Sequence, residues 1–370
     1  MSDTSARITG LDGLRGFASL AVVLYHVSLI AKPELSETTW AWLTQSPLKI
    51  MFPGTESVLV FFALSGLVVA LPALRSDFAW TRYYPSRLLR LYLPVFGALI
   101  FAAVLIVAIP RDPASMPVGS WLRDAQATAI TPLSLLTEAS LLPESYDIDN
   151  VLWSLRWELF FSLLLPLFVW VAIRFRRAGP YLAALAVACT VAGRMLHNDA
   201  LVYFPVFLLG TIIAIHLDSI RGFAERTHAR MLWPALALLA GVLLIASWLS
   251  RPFVESGSEL GDVLWGLAGV GATLIVLLVI VWPALRRGCE RPSALWLGRI
   301  SFSLYLVHAP ILGTLGYLLG REHWWVTCLI GVPISLGVAA VFYRWVERPS
   351  HRLARRAGGY VTQRLEARTA

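Results

Sequence analysis

Lysine, cysteine and charge are all scarce in this chain of 370 residues. Only Lys32 and Lys49 are lysines, against 29 arginines. The three cysteines, Cys189, Cys289 and Cys328, show neither CxxC nor metal-ligand spacing. That excludes a disulfide framework and a cysteine-based zinc site, and no metal is expected. Charged residues make up 15% and hydrophobic residues 57% of the chain, where about 25% charged is usual for globular proteins. A soluble chain of this length has no interior large enough to hide so much apolar surface. The first apolar stretch lacks a small-residue cleavage site, so it reads as a retained span and not as a signal peptide. The net charge of +8 is dispersed as arginines in short loops between apolar runs, which argues against a nucleic-acid partner. What is present fits an all-α polytopic membrane protein in a lipid bilayer.

About 20 apolar residues cross the hydrocarbon core. By that measure there are ten spans: 11–31, 57–74, 90–109, 153–173, 181–197, 200–217, 231–250, 262–283, 297–318 and 325–346. No fixed-period repeat appears, so one domain over 1–350, followed by a basic tail over 351–370, is the simplest organisation. Alternate loops differ in charge. One set, from Arg7 through Arg75, Arg82, Arg87, Arg90 and Arg230 to Arg368, holds 22 of the 31 basic residues. The other set holds seven, both lysines among them, and most of the acids. The positive-inside rule therefore puts both termini and the tail in the cytoplasm. Two loops of the opposite set, 32–56 and 110–152, are longer than two helices need and carry Trp40, Trp42 and Trp121. Long loops of this kind are commonly functional, and these are expected to help shape an external site.

The opening span, "GLDGLRGFASLAVVLYHV" at 10–27, carries Asp12, Arg15 and His26. Eleven residues make about three helical turns, so Arg15 and His26 share a face roughly 16 Å apart along the axis. Asp12 and Ser19 fall on the same stripe. A charge deep in a span costs on the order of 3 kcal/mol, so such groups face a cavity or each other. For each residue alone a plainer reading stands, with Asp12 and Arg15 snorkelling at the interface and His26 a hydrogen-bonded core histidine. The aligned set favours a polar passage.

Near the Arg-rich side, Arg87 and Arg90 lie one turn apart, a spacing that suits a phosphate or anionic lipid head groups. In "NVLWSLRWELFFSLLLP" (150–166), Arg156 and Glu158 lie one to two turns below the outer surface, at the depth expected of His26. A buried Glu beside a His fixes its tautomer and raises its basicity; a Glu158–Arg pair joining helices is the alternative. Ser65 reads as helix–helix contact together with Gly66 or as part of the passage. Tyr305 and His308 in "ISFSLYLVHAP" are candidates for its lining, and Glu347 in "RWVERP" for a structural ion pair. Together these give cations inside and an imidazole base outside. The Arg15–His26 span matches an extended phosphopantetheine arm, so a cytoplasmic acyl-CoA would anchor its phosphates on arginine and offer its thioester at His26 to an external hydroxyl.

At these residues the chain resembles the acyltransferase-3 family of integral-membrane acyltransferases, over nearly all of residues 7–353. The blocks that carry the resemblance are Arg15-x10-His26, "FFALSG" (61–66), Arg87-x-x-Arg90, "LWSLRWELFF" (152–161), "ISFSLYLVHAPI" (300–311) and "RWVERP" (344–349). It implies ten core helices in a bacterial plasma (inner) membrane. It also implies transfer of an acyl group, usually acetyl and here from acetyl-CoA, to hydroxyls of surface glycans, glycolipids or secondary metabolites. His26 would be catalytic, with Arg15, Arg87, Arg90 and Asp12 supporting it or the donor. Many members read WSLxxEExF where this chain has "WELFF", which leaves Glu158 as the single acid. No soluble hydrolase-like domain is expected after residue 350, as in the short form of the family. A homo-oligomer is compatible with the sequence. Two other classes compete: a proton-coupled transporter or flippase using Asp12, His26 and Glu158 as a relay, and a non-catalytic scaffold that tolerates loss of His26. Against the transporter, no inverted repeat or paired broken helices are evident.

Overall fold

Long apolar runs in hydrocarbon must satisfy their own backbone amides, and in a single segment only a helix does so. The computed structural model describes residues 8–369 apart from His228, Arg230 and Ser256, with side chains as far as Arg364. Arg7 and Arg230, counted above among the loop cations, lie outside the described residues. The first helices are α1 (Thr9–Ala31), α2 (Glu37–Thr44), α3 (Thr55–Ala73), α4 (Trp80–Ala108), α5 (Trp121–Asp124) and α6 (Pro132–Ala139). Then come α7 (Leu152–Arg174), α8 (Gly179–Met195), α9 (Asp199–Arg226), α10 (Leu232–Leu244), α11 (Ala246–Leu249), α12 (Glu259–Gly266) and α13 (Ala268–Val281). The last are α14 (Pro283–Cys289), α15 (Pro292–Leu319), α16 (Trp324–Phe342) and α17 (Arg348–Thr369).

The chain is an all-α polytopic membrane protein. Among the described residues, nine segments are long and apolar enough to cross a bilayer: those built on α1, α3, α4, α7, α8, α9, α12–α13, α15 and α16. The sequence counted ten. The difference is 231–250, where the helix stops at Leu244 after 13 residues. Thirteen residues rise about 20 Å, short of a hydrocarbon core of about 30 Å. The third span also differs, for α4 begins at Trp80 and carries Arg82, Arg87 and Arg90 within the helix. The basic segment after 350 is helical, as part of α17.

The described residues form two compact units. The first comprises residues up to Val22, Thr38–Arg75 and Leu164–Ser301. Its helices meet through small residues. A Cβ on Gly66 would stand 2.1 Å from the Phe207 carbonyl oxygen, and one on Gly210 2.1 Å from that of Ala63. The α3 and α9 backbones therefore touch, as small-residue crossings in membranes allow. At the start of α1, Gly16 abuts Gly298 in the same way, and the Ser19 hydroxyl donates to the Ser301 carbonyl at 2.9 Å.

In the same unit Lys49 is fully buried. Its Nζ donates to the Phe52 carbonyl at 2.9 Å and lies 4.8 Å and 4.2 Å from the Phe52 and Trp248 ring centroids. Trp248 Nε1 donates to Glu56 Oε1 at 2.7 Å. Burial lowers the Lys49 ammonium from 10.5 to about 8, against the pull of Glu56 and with the push of Arg251. Above about pH 8 the folded protein has released this proton while the unfolded chain keeps it until about 10.5, so unfolding takes up a proton there. Stability rises with pH across that window, by on the order of 3 kcal/mol for a shift of this size. Thermal unfolding in detergent is expected to show the wild-type midpoint gaining on that of Lys49→Met from pH 8 to 10. A difference between the two proteins that stays constant over that range would contradict the burial argument.

The second unit comprises Val23–Glu37, Ser76–Leu163 and Phe302–Ala370. Within it α17 lies along α4: Ser86 Oγ donates to the Ala354 carbonyl at 3.1 Å, and Gly358 leaves room for the Ser86 side chain. Glu347, in the π-helical turn Tyr343–Glu347, accepts from both the backbone N–H and the hydroxyl of Ser303. The loop between α4 and α7 is fixed by its own polar groups. The Glu138 carboxylate gathers the backbone N–H groups of Asp147, Ile148 and Asp149 at 2.8, 2.8 and 3.1 Å. Arg111 bridges the Ala127 carbonyl at 2.9 Å to the Thr314 hydroxyl at 3.0 Å. These ties hold the loop against the later turns of α15.

Candidate active site

A carbonyl oxygen can only accept a hydrogen bond, and that settles the protons at the centre of the second unit. His308 on α15 is fully buried, and its Nδ1 lies 2.9 Å from the Leu304 carbonyl one turn back on the same helix. Nδ1 must therefore carry hydrogen. With the ring neutral, Nε2 is an acceptor. The atom facing it at 3.2 Å is Nδ1 of His26 on α1, which must then be the donor. In neutral His26 the proton-accepting nitrogen is thus Nε2. The chain Leu304 O, His308, His26 selects one tautomer of the second imidazole, the service an acid performs in a catalytic triad. The two histidines stand 282 positions apart, the same offset that separates Ser19 from Ser301 in the first unit.

Glu158, expected from its depth to orient His26, pairs through Oε1 with Arg87 Nη2, and Arg87 Nε donates to the Ser162 hydroxyl at 3.0 Å. Ser162 in turn donates to the Glu158 carbonyl at 2.7 Å. This is the ion pair joining α4 to α7 that the sequence left open as the alternative. Glu158 faces toward Arg87 because position 162, one turn on, bears a hydroxyl that completes the cradle for the guanidinium.

Tyr305, one turn before His308, has its hydroxyl 2.6 Å from Ser154 Oγ and donates to the Val151 carbonyl at 3.1 Å. It pins the start of α7 to α15. Arg156 is half-buried, with its guanidinium 5.4 Å and 5.7 Å from the Trp157 and Phe160 ring centroids. Arg90, Arg355 and Arg87 all lie within electrostatic range of His351 on α17. Arg355 of α17 thus joins Arg90 and the Glu158-paired Arg87 around His351, a grouping that adds cations suited to a phosphate. No periodicity in the sequence joins residue 355 to residue 90. Asp12, Arg15 and Ser65 belong to the first unit, where Asp12 and Arg15 are half-buried and Ser65 is buried beside the Gly66 contact. Among the described residues no group of three or more His, Cys, Asp or Glu side chains is gathered as metal ligands are.

Trp121, in sequence only an aromatic of a long loop, is a neighbour of the base. Its ring centroid is 4.9 Å from that of His26. A cavity opens beside it, lined among others by Leu29, Ile30, Ser120, Leu122, Gly316 and Trp324. Leu29 and Ile30 lie one helical turn past His26, and neither His26 nor Trp121 itself lines this cavity. The Glu34–Arg321 ion pair at 2.6 Å forms part of its wall.

A family model described as an acyltransferase domain matches residues 8–344. Nodulation protein 10 of Rhizobium leguminosarum bv. viciae is 24% identical over 372 residues, covering 95% of both chains. Acyltransferase MdmB of Streptomyces mycarofaciens is 26% identical, covering 94% of this chain and 92% of its own. O-acetyltransferase OatA of Staphylococcus aureus is 23% identical over 96% of this chain, which spans 59% of that protein's length. No solved structure matches the chain.

Proposed function

Because the chain belongs to the acyltransferase-3 family, we propose that it moves an acyl group, acetyl in the first instance, from cytoplasmic acyl-CoA to a hydroxyl of an extracytoplasmic glycan, glycolipid or related acceptor. The membrane in question is the bacterial plasma membrane. The observation that carries this reading is the His308–His26 pair, which makes Nε2 of a buried imidazole a proton acceptor. In the step we infer, His26 Nε2 takes the hydroxyl proton as the oxygen attacks the thioester carbonyl carbon. The carbonyl electron pair moves onto oxygen, then returns and expels the thiolate. The thiolate takes the proton from His26, leaving an ester and free CoA. General-base help of this kind is worth about 10²–10⁴-fold, with positioning supplying much of the rest. Arg90 and Arg355, which flank His351 together with the Glu158-paired Arg87, would seat the donor's phosphates. Names given to relatives such as OatA support an O-acetyl product.

Mass analysis of envelope glycans and lipids from cells with and without the gene tests this directly. One class of molecule is expected to lose an acetyl increment in the deletion. Acyl content unchanged in every class, with a glycan or lipid precursor accumulating on one side of the membrane, would instead favour the transporter reading.

A further inference from the structure

Trp121 is 9% exposed, and its Nε1–H is buried without a hydrogen-bond partner. A buried indole N–H normally finds an acceptor, and leaving a donor unanswered costs about 1–3 kcal/mol. A mobile loop would shed that cost by turning the ring outward. This loop is fastened on both sides of the ring. The Ser120 hydroxyl accepts from the Arg123 N–H at 3.3 Å, and Tyr317 Oη donates to the Leu122 carbonyl at 2.8 Å. The Leu122 side chain fills the notch at Gly316, where a Cβ would come within 2.7 Å of it. Gln126 fills the notch at Gly313, where a Cβ would come within 2.1 Å of its Oε1. Gly313 and Gly316 lie one and two turns beyond His308 on α15. The helix that sets the His26 tautomer therefore also fixes the indole, whose ring plane is inclined 50° to that of His26.

We propose that Trp121 Nε1–H is a catalytic hydrogen-bond donor to the carbonyl oxygen of the acyl group during transfer. This rests on the O-acyltransferase reading and adds the group that answers the charge left on oxygen. As the hydroxyl oxygen forms its bond to the carbonyl carbon, the π pair localises on the carbonyl oxygen, which accepts from the indole. When the C=O bond re-forms and the C–S bond breaks, that negative charge leaves with the thiolate. The same donor aimed at the attacking hydroxyl would draw off the electron pair needed for attack. Aimed at the carbonyl it strengthens as charge develops, which is what lowers a barrier.

The test uses full-length protein in vesicles, with acetyl-CoA as donor and the envelope extract of gene-deleted cells as acceptor, reading CoA thiol release. Trp121 is replaced by phenylalanine and, separately, by 3-benzothienylalanine, which keeps the shape of indole and puts sulfur in place of N–H. Both are expected to lower kcat by about 10²–10³-fold, the loss seen when one oxyanion donor is removed. The KM for acetyl-CoA and the pH midpoint of the rate should stay put. A benzothienyl protein with wild-type kcat, or with only a raised KM, would overturn the proposal and leave Trp121 a packing residue. His26→Ala is run beside them. Activity surviving there would overturn the base assignment itself, whereas loss there with an unaffected benzothienyl protein overturns only the role of Trp121.

Discussion

Asparagine at position 26 is expected to leave a folded protein with no measurable acyl transfer. The side-chain amide of asparagine places an N–H close to where His26 Nδ1 stands, so the bond to His308 Nε2 at 3.2 Å keeps a donor. What disappears is Nε2. Alanine removes more: a ring that sits 5.6 Å from Tyr25, 4.9 Å from Trp121 and 5.0 Å from His308, centroid to centroid. It would also leave a buried acceptor on His308 unanswered, at a cost of about 1–3 kcal/mol. Asparagine therefore separates chemistry from folding, and the loss in kcat should be at least about 10²–10⁴-fold. Thiol release from acetyl-CoA measures the chemistry, and thermal unfolding in detergent checks the fold. A folded His26→Asn protein that releases CoA at the wild-type rate would remove His26 from the reaction.

His308→Phe is expected to slow the reaction strongly without touching substrate. Phenylalanine keeps most of the volume in a fully buried position but offers His26 Nδ1–H no acceptor. The imidazole is then free to move its proton to Nε2, which disarms the base. The corresponding loss in serine proteases, where the wrong tautomer is populated, is about 10⁴-fold; about 10²-fold or more is expected here. His308→Gln carries a carbonyl oxygen near the place of Nε2 and should recover most of the rate. A residue that only filled space would show the reverse order, with Phe tolerated and Gln harmful. Measuring kcat across pH for the three proteins distinguishes the two outcomes.

The spans were legible because apolar length is a local property of sequence. Nine of ten survive as long helices, and the exception shows where that property ends. Residues 231–250 are apolar enough to cross, yet Ile245 adopts φ −114° and ψ 15° and the helix breaks. Hydropathy does not register such a break. The polar stripe of the first span marks His26 as unusual, but its partner can be read there from depth alone. Depth places a residue along the membrane normal and says nothing of which way its helix faces. Glu158 matches His26 in depth, whereas the structure sets the His308 ring against His26 and pairs Glu158 with Arg87. Ser162 and Arg87 turn the carboxylate toward α4, whereas the carbonyl of Leu304 holds His308 ready to accept from α1. Trp121 was legible only as an aromatic in a long loop. Its place depends on notches at Gly313 and Gly316, almost two hundred residues away. Cross-chain fits of that kind leave no periodic trace.

The most direct measurement is the stoichiometry of purified protein in sealed vesicles, with acetyl-CoA on one side and the unacylated envelope extract on the other. One CoA thiol on the donor side should appear for each ester formed on the acceptor side, without a pH gradient, and neither should appear with His26→Asn. Acceptor crossing the membrane in response to a pH gradient, with no thiol released, would contradict the acyl-transfer mechanism outright.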